Sequence, residues 1–265
     1  MILKRLTTGG FAALGTGLAA MVVLHATSGL NPVEVVISLH LYTPLGWLLP
    51  FSLALLGAGA CAFAAAARRA GAPPWMSRML LAWAGLLALV ALFPTDPPGL
   101  PEVSLVSAIH RYSAFCAFST MAVMGVVFSR WARHDDRCPP RVRLAVAGFS
   151  WLAVAALVSC STPYVMEWFG VPREPGAYAA GLLQRTTVGS EMVVLAVFGL
   201  WLRERRAEAP PAPAPRTACR SSEATGRARR GGPLLEAPAV RIAAYAPLSP
   251  VGSRAEPEPV GGGAQ

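Results

Sequence analysis

Charge is scarce in this sequence. Only 14% of its 265 residues are charged, against 54% hydrophobic, and Lys4 is the single lysine. Soluble domains carry about 25% charged residues, so an ordinary soluble class is excluded and a membrane class is expected. Cysteine is sparse too. Cys61, Cys116 and Cys160 fall in apolar blocks, Cys138 in a basic link and Cys219 near the end. With no paired spacing and no Cys/His cluster, a disulfide framework is excluded and a zinc or haem site is argued against. The cysteines read as small buried apolar residues. Also missing are Gly-x-Ser-x-Gly, His-Glu-x-x-His and a phosphate-cradling glycine loop. A soluble-type hydrolase is therefore unsupported, and neither a cofactor nor a metal is expected. No internal repeat is visible, which weighs against transporters built from repeated halves.

What the chain has in abundance is apolar residues gathered into blocks of roughly 20, the length that crosses about 30 Å of hydrocarbon. Six blocks stand out, over residues 8–26, 46–67, 76–93, 107–131, 142–163 and 180–202, separated by Pro, Gly or Arg clusters. The expected fold is all-α: a polytopic bundle of six transmembrane helices over residues 1–202. The first block is longer than the usual 7–15-residue signal-peptide core and lacks a clean small-x-small cleavage site, so a membrane helix is the expectation there. From residue 203 onward, Ala-Pro repeats, Arg-rich stretches and a Gly-rich end replace the bulky apolar residues. That composition cannot offset the entropy of ordering, which predicts a disordered tail.

The net charge of +9 suggests nucleic acid only until the basic residues are sorted by link. Lys4 and Arg5 precede the first block; Arg68, Arg69 and Arg78 surround the second link; Arg130, Arg133, Arg137, Arg141 and Arg143 surround the fourth; Arg203, Arg205 and Arg206 follow the sixth block. Thirteen cations fall on that side, against Arg111, Arg173 and Arg185 on the other. By the positive-inside rule both termini and the tail are cytoplasmic, and the bilayer, not nucleic acid, is the expected partner. Arginines of the tail add a weak expected contact with anionic lipid.

Against this background a few polar residues are conspicuous. Pro94, Pro97, Pro98 and Pro101 end the third helix near Phe93, leaving Asp96 just outside the hydrocarbon. The fourth helix starts about ten residues later, so Asp96, His110 and Arg111 return to one outer level, and a contact of Asp96 with one of the other two is expected. In the sixth helix Gln184 and Glu191 lie about 20° apart on the helical wheel, with Thr187 near them, while Arg185 points elsewhere. Glu191 sits about 15 Å deep, where a carboxyl is costly unless it faces the bundle, is protonated or is paired. The candidates for chemistry are Asp96, His110 and Glu191, and those for ligand contact are Gln184 and Arg185. Each also has a purely structural reading: hydrogen bonding between helices for Glu191 and His110, snorkelling to the interface for the arginines.

The residues resemble a family of bacterial integral membrane proteins, domain of unknown function 998. The similar segments are Ile37-Ser38, Pro44-x-Gly46-Trp47-Leu48, Phe93-Pro94-Thr95-Asp96, His110, and Gly181-Leu182-Leu183-Gln184-Arg185, spanning most of residues 10–202. Where the family often has Tyr and Gly, His40 and Thr43 stand here. The resemblance implies a six-helix membrane domain and brings no reaction with it.

Three readings follow. The leading one is a bacterial plasma-membrane protein whose outer polar pocket binds a small ligand or lipid head group. The second is an intramembrane enzyme acting on lipid, with His110 as base, Asp96 orienting it, Arg185 as anion clamp and Glu191 as buried acid. The third is a proton-coupled transporter using Glu191. Oligomeric state is not legible in the sequence.

Overall fold

The computed structural model describes residues 1–99, 103–136, 138–170 and 179–207. Among them it contains α1 (Ile2–Thr27), a short 3-10 helix (Ile37–Tyr42), α2 (Leu48–Arg69), α3 (Pro74–Leu92), α4 (Leu105–Trp131), α5 (Pro140–Trp168) and α6 (Ala180–Ala207), and no strand. All six α-helices are long and apolar enough to cross a membrane. The chain is a multi-pass membrane protein. Residues 208–265, to which most of the expected disordered tail belongs, lie outside the described residues, as do Arg137, Arg173 and Glu174.

Local chemistry sets the helix ends. Gly71, at φ +67°, takes the left-handed conformation that stops α2, and Pro74 opens α3 where a missing N–H costs nothing. Ser104 caps α4 by accepting the Ser107 N–H at 3.1 Å. Two ends differ from the sequence reading. Helix α5 continues through Pro163 to Trp168. Next to that proline the hydroxyls of Ser161 and Thr162 donate to the Leu157 and Val158 carbonyls, at 2.8 and 2.9 Å, and so return to their own backbone. Helix α6 continues past residue 202 because its basic end is docked: Arg205 pairs with Asp135 and lies 4.5 Å over the Trp201 ring, while Arg141 pairs with Glu204 at 3.2 Å.

Each helix packs against its neighbours in the chain, and α6 also touches α1, α2 and α4, which places it at the centre. The arrangement follows from short links, since four residues between α2 and α3 leave only an antiparallel hairpin. At the end of the bundle that carries the 2–3 and 4–5 links, the core is aromatic. Phe63, Phe128, Phe198 and Trp201 are all buried, with Phe128 standing edge-on to Phe198 at 5.5 Å and to Trp201 at 5.1 Å. Phe63 needs glycine on both sides: a Cβ at Gly10 or Gly199 would come within 2.6 or 2.7 Å of its ring. Helices α1 and α2 approach closely along Gly10 and Gly17, where Ser52 donates to the Gly17 carbonyl at 2.7 Å. Of the small residues at helical spacing in α1, Ala12 and Thr16 face outward while Ala20 is buried. Cys61 and Cys116 are likewise exposed on the surface of the bundle rather than buried, and Cys138 is buried.

Candidate functional site

The opposite end of the bundle carries the 1–2 and 3–4 links, and its polar residues divide into three groups. The first is a helix junction. The Asp96 carboxylate accepts the Ser104 hydroxyl at 2.6 Å and the Ser104 N–H at 2.8 Å, and its own N–H donates to Ser107 Oγ at 3.2 Å. These bonds fasten the 3–4 link to the first turn of α4. The Ser104 hydroxyl and N–H, with Ser107 and the Arg111 charge adding less, hold the Asp96 carboxyl below its usual range. Asp96 is thus committed to the start of α4, and the expected orientation of His110 by Asp96 is not formed. His110 Nδ1 instead donates to the Phe93 carbonyl at 2.7 Å and to the Val90 carbonyl at 3.1 Å, satisfying the last turn of α3.

The second group fastens the 1–2 link to α6. Arg185 Nη1 donates to the carbonyls of Pro32, Val35 and Gly181 at 2.7, 2.8 and 3.0 Å, and Nη2 donates to His40 Nε2 at 3.3 Å. The Leu182 N–H adds a bond to the Val33 carbonyl at 3.0 Å. Gly181 makes this approach possible, because a Cβ there would lie 2.5 Å from the Val35 carbonyl oxygen. His40 is 1% exposed and its ring is 4.4 Å from that of His25, whose Nδ1 donates to the Met21 carbonyl. Burial, with His25 and Arg185 beside it, holds the His40 imidazole below its usual pKa, so the neutral ring that accepts from Arg185 is favoured. On its other side the 1–2 link is tied down by the Tyr42 phenol, which donates to the Thr95 carbonyl.

The third group lies beneath these fastenings. A cavity of about 70 Å³ is lined by α1, α2, α3, α4, α6 and the 3-10 helix. Its walls are almost wholly apolar. The polar side chains that reach it are Ser38, His110, Gln184 and Glu191, with Trp83 contributing an indole. Gln184 Oε1 accepts the Ile37 N–H at 2.7 Å, which leaves its amide NH2 as the donor end. Because two carbonyls hold a proton on His110 Nδ1, Nε2 of the neutral ring is an acceptor. Glu191 stands eleven residues after the start of α6, is 2% exposed, and its Oε1 has no hydrogen-bond partner. Trp83, equally buried, has an unpartnered Nε1–H. Unpaired polar groups this deep cost free energy of about 1 to 3 kcal/mol each, so something must offset them.

Three of the five candidate residues, His110, Gln184 and Glu191, therefore share one cavity, while Asp96 and Arg185 are bonded elsewhere. On the α6 wheel Gln184, Val188 and Glu191 face the cavity, and the nearby Thr187 turns its hydroxyl back to the Leu183 carbonyl at 3.0 Å. Trp83 and Ser38 were not legible as lining residues. A tryptophan inside an apolar helix carries no signal of what its N–H meets, whereas Ser38 stands in one of the short segments that carry the family resemblance.

These features define a six-helix membrane protein with a small, mostly apolar cavity, reached by a few polar groups, near one end of the bundle. A family model described as a protein of unknown function (DUF998) matches residues 11–201, and the chain belongs to that family. No curated protein and no solved structure matches it.

Proposed function

We propose that this is a bacterial plasma-membrane protein, with both termini cytoplasmic, that binds a small ligand in the cavity beneath the 1–2 link. The observation that carries this reading is the meeting of His110, Gln184 and Glu191 in a single apolar-walled cavity, with a Glu191 oxygen left unpartnered. Apolar walls with a few convergent polar groups are the usual character of a small-molecule site. The excess of basic residues around the 2–3 and 4–5 links supports the orientation, which puts the cavity toward the outer face. We assign the six helices, which end at Ala207, to the membrane domain and the remainder to a cytoplasmic tail.

The lipid-enzyme reading has less support in this geometry. Its orienting carboxylate is bonded to Ser104, and its anion clamp is occupied by the carbonyls of the 1–2 link. Proton-coupled transport is the second reading, favoured by Glu191 and His110 lining the same cavity. Equal proton flux in vesicles bearing wild type or Glu191→Gln would remove it.

The binding reading is tested with single cysteines placed in a background lacking Cys61, Cys116, Cys138, Cys160 and Cys219. A small impermeant thiol reagent added to intact cells is expected to modify Glu34→Cys rapidly, Ser38→Cys more slowly, and Asp136→Cys only after lysis. Protection of Glu34→Cys in intact cells overturns the orientation. A Ser38→Cys thiol that never reacts overturns access to the cavity.

A further inference from the structure

The donors and acceptors around the cavity specify what it can hold. Among the described residues that line it there is no Lys or Arg, while there is one carboxyl and one imidazole acceptor. An anion would find the Glu191 carboxyl and no cation, since Arg185 spends its guanidinium on the Pro32, Val35 and Gly181 carbonyls. A purely apolar ligand would leave Glu191 Oε1 and Trp83 Nε1 as unpartnered as they are now. A hydrogen-bonding cation suits the site. Its N–H groups would meet the Glu191 carboxyl, and a neighbouring hydroxyl or ether oxygen would accept from the Gln184 amide. The aromatic walls, Trp83 and Phe118, add to the preference for a cation.

Size narrows the class further. A cavity of about 150 Å³ accommodates benzene, with six heavy atoms. At 70 Å³ this one has room for about three, so only the short end of an amine is enclosed. We propose that the cavity is a primary-ammonium site that takes the aminoethyl end of a short amine, with Glu191 and Trp83 at the deep end and His110 and Gln184 nearer the 1–2 link. This rests on the cavity being a binding site at all. The same group reaches a membrane protein from two sources, a free short-chain amine or the head group of phosphatidylethanolamine.

The test is calorimetric titration of the full chain, in phosphatidylcholine nanodiscs near neutral pH, with ethanolammonium and propylammonium. Choline, 1-propanol and propionate serve as the probes that lack N–H donors, charge or the right sign. The primary amines are expected to bind, with choline, 1-propanol and propionate at least about tenfold weaker. Glu191→Gln is isosteric and should weaken the amines by at least about tenfold. Ala114→Leu, which fills the cavity from α4, should abolish binding while Glu191 stays in place. Unchanged thermal unfolding of each variant shows that folding is not the cause.

Repeating the titration in phosphatidylethanolamine nanodiscs identifies the source. A drop in apparent affinity marks the lipid head group as occupant, and unchanged affinity marks the free amine; either result supports the ammonium assignment. If propylammonium and 1-propanol bind alike, or neither binds while Ser38→Cys still reacts from outside, the ammonium assignment fails and the cavity reading survives. An unreactive Ser38→Cys removes both.

Discussion

Gly181→Ala is the sharpest single perturbation, because one methyl group has to displace a whole link. The added Cβ would stand 2.5 Å from the Val35 carbonyl oxygen, 2.7 Å from that of Pro32 and 2.8 Å from Arg185 Nη1. Ordinary contact begins at 3.4 Å, so the 1–2 link must retreat by about 0.9 Å at Val35, and the atoms in the way are backbone. A retreat of that size stretches the Arg185 to Val35 bond, now 2.8 Å, beyond hydrogen-bond range. Overpacking of this kind costs about 1 to 3 kcal/mol. Gly189, two turns along the same helix, has nothing within 4 Å of where its Cβ would stand, and alanine there should gain up to about 1 kcal/mol from helix propensity. The two variants should therefore separate by roughly 1 to 4 kcal/mol, in opposite directions from wild type. Unfolding by sodium dodecyl sulfate in mixed micelles, followed by tryptophan fluorescence, measures the gap. Equal midpoints for the two variants would refute the claim that the link is clamped on α6 at Gly181.

Acid should loosen the same clamp. Neutral His40 accepts from Arg185, and its pKa in the folded protein is held below the unfolded value of about 6.5, so more protons bind when the link lets go. The stabilisation is present above about pH 6.5 and is lost as pH falls towards the lowered value. A spin label at Glu34→Cys should gain mobility over that window, and His40→Gln should flatten the response; equal pH dependence in both proteins contradicts it. Asp96→Asn is expected to weaken the start of α4 and leave ligand binding at the cavity unchanged, since its carboxylate bonds Ser104 and not His110; lost ligand affinity in a folded variant would return Asp96 to the site. Ser104→Ala should cost about 1 kcal/mol as a lost cap, measured by the same detergent titration. Phe63→Ala, at the aromatic end of the core, should cost about 3 to 5 kcal/mol, and a much smaller loss would show that the two glycines beside it can close the gap.

The membrane class and the count of helices were legible because they depend on long runs of composition, and the cost of an unpaired backbone in lipid leaves a helix as the form of each run. Individual ends were less so. Pro163 reads as a stop, yet α5 passes through it, and the basic residues after 202 read as tail, yet Arg205 finds Asp135 in a link 70 positions away and Trp131 at the end of α4. Pairings of that kind have no local signature. The site shows the same division. Helical periodicity put Gln184 and Glu191 on one face and Arg185 on another, which is a property of one segment. The partners of Asp96 and Arg185 depend on where two links fold back: Asp96 lies level with His110 in the chain layout, but Ser104, closer in sequence, captures its carboxylate first. Arg185 had the look of an anion clamp only while the carbonyls of Pro32 and Val35 were out of view.

The central claim is that Glu191 faces a cavity built to receive a cation from the outer side. It is tested most directly by dipolar-recoupling solid-state NMR on the full chain in bilayers, with 15N-ethanolammonium and protein carrying 13C at its glutamate side-chain carboxyl carbons. The expected result is a nitrogen-to-carboxyl distance under about 4 Å that disappears in Glu191→Gln. Ligand bound with no such coupling, or a coupling that survives the substitution, would contradict it.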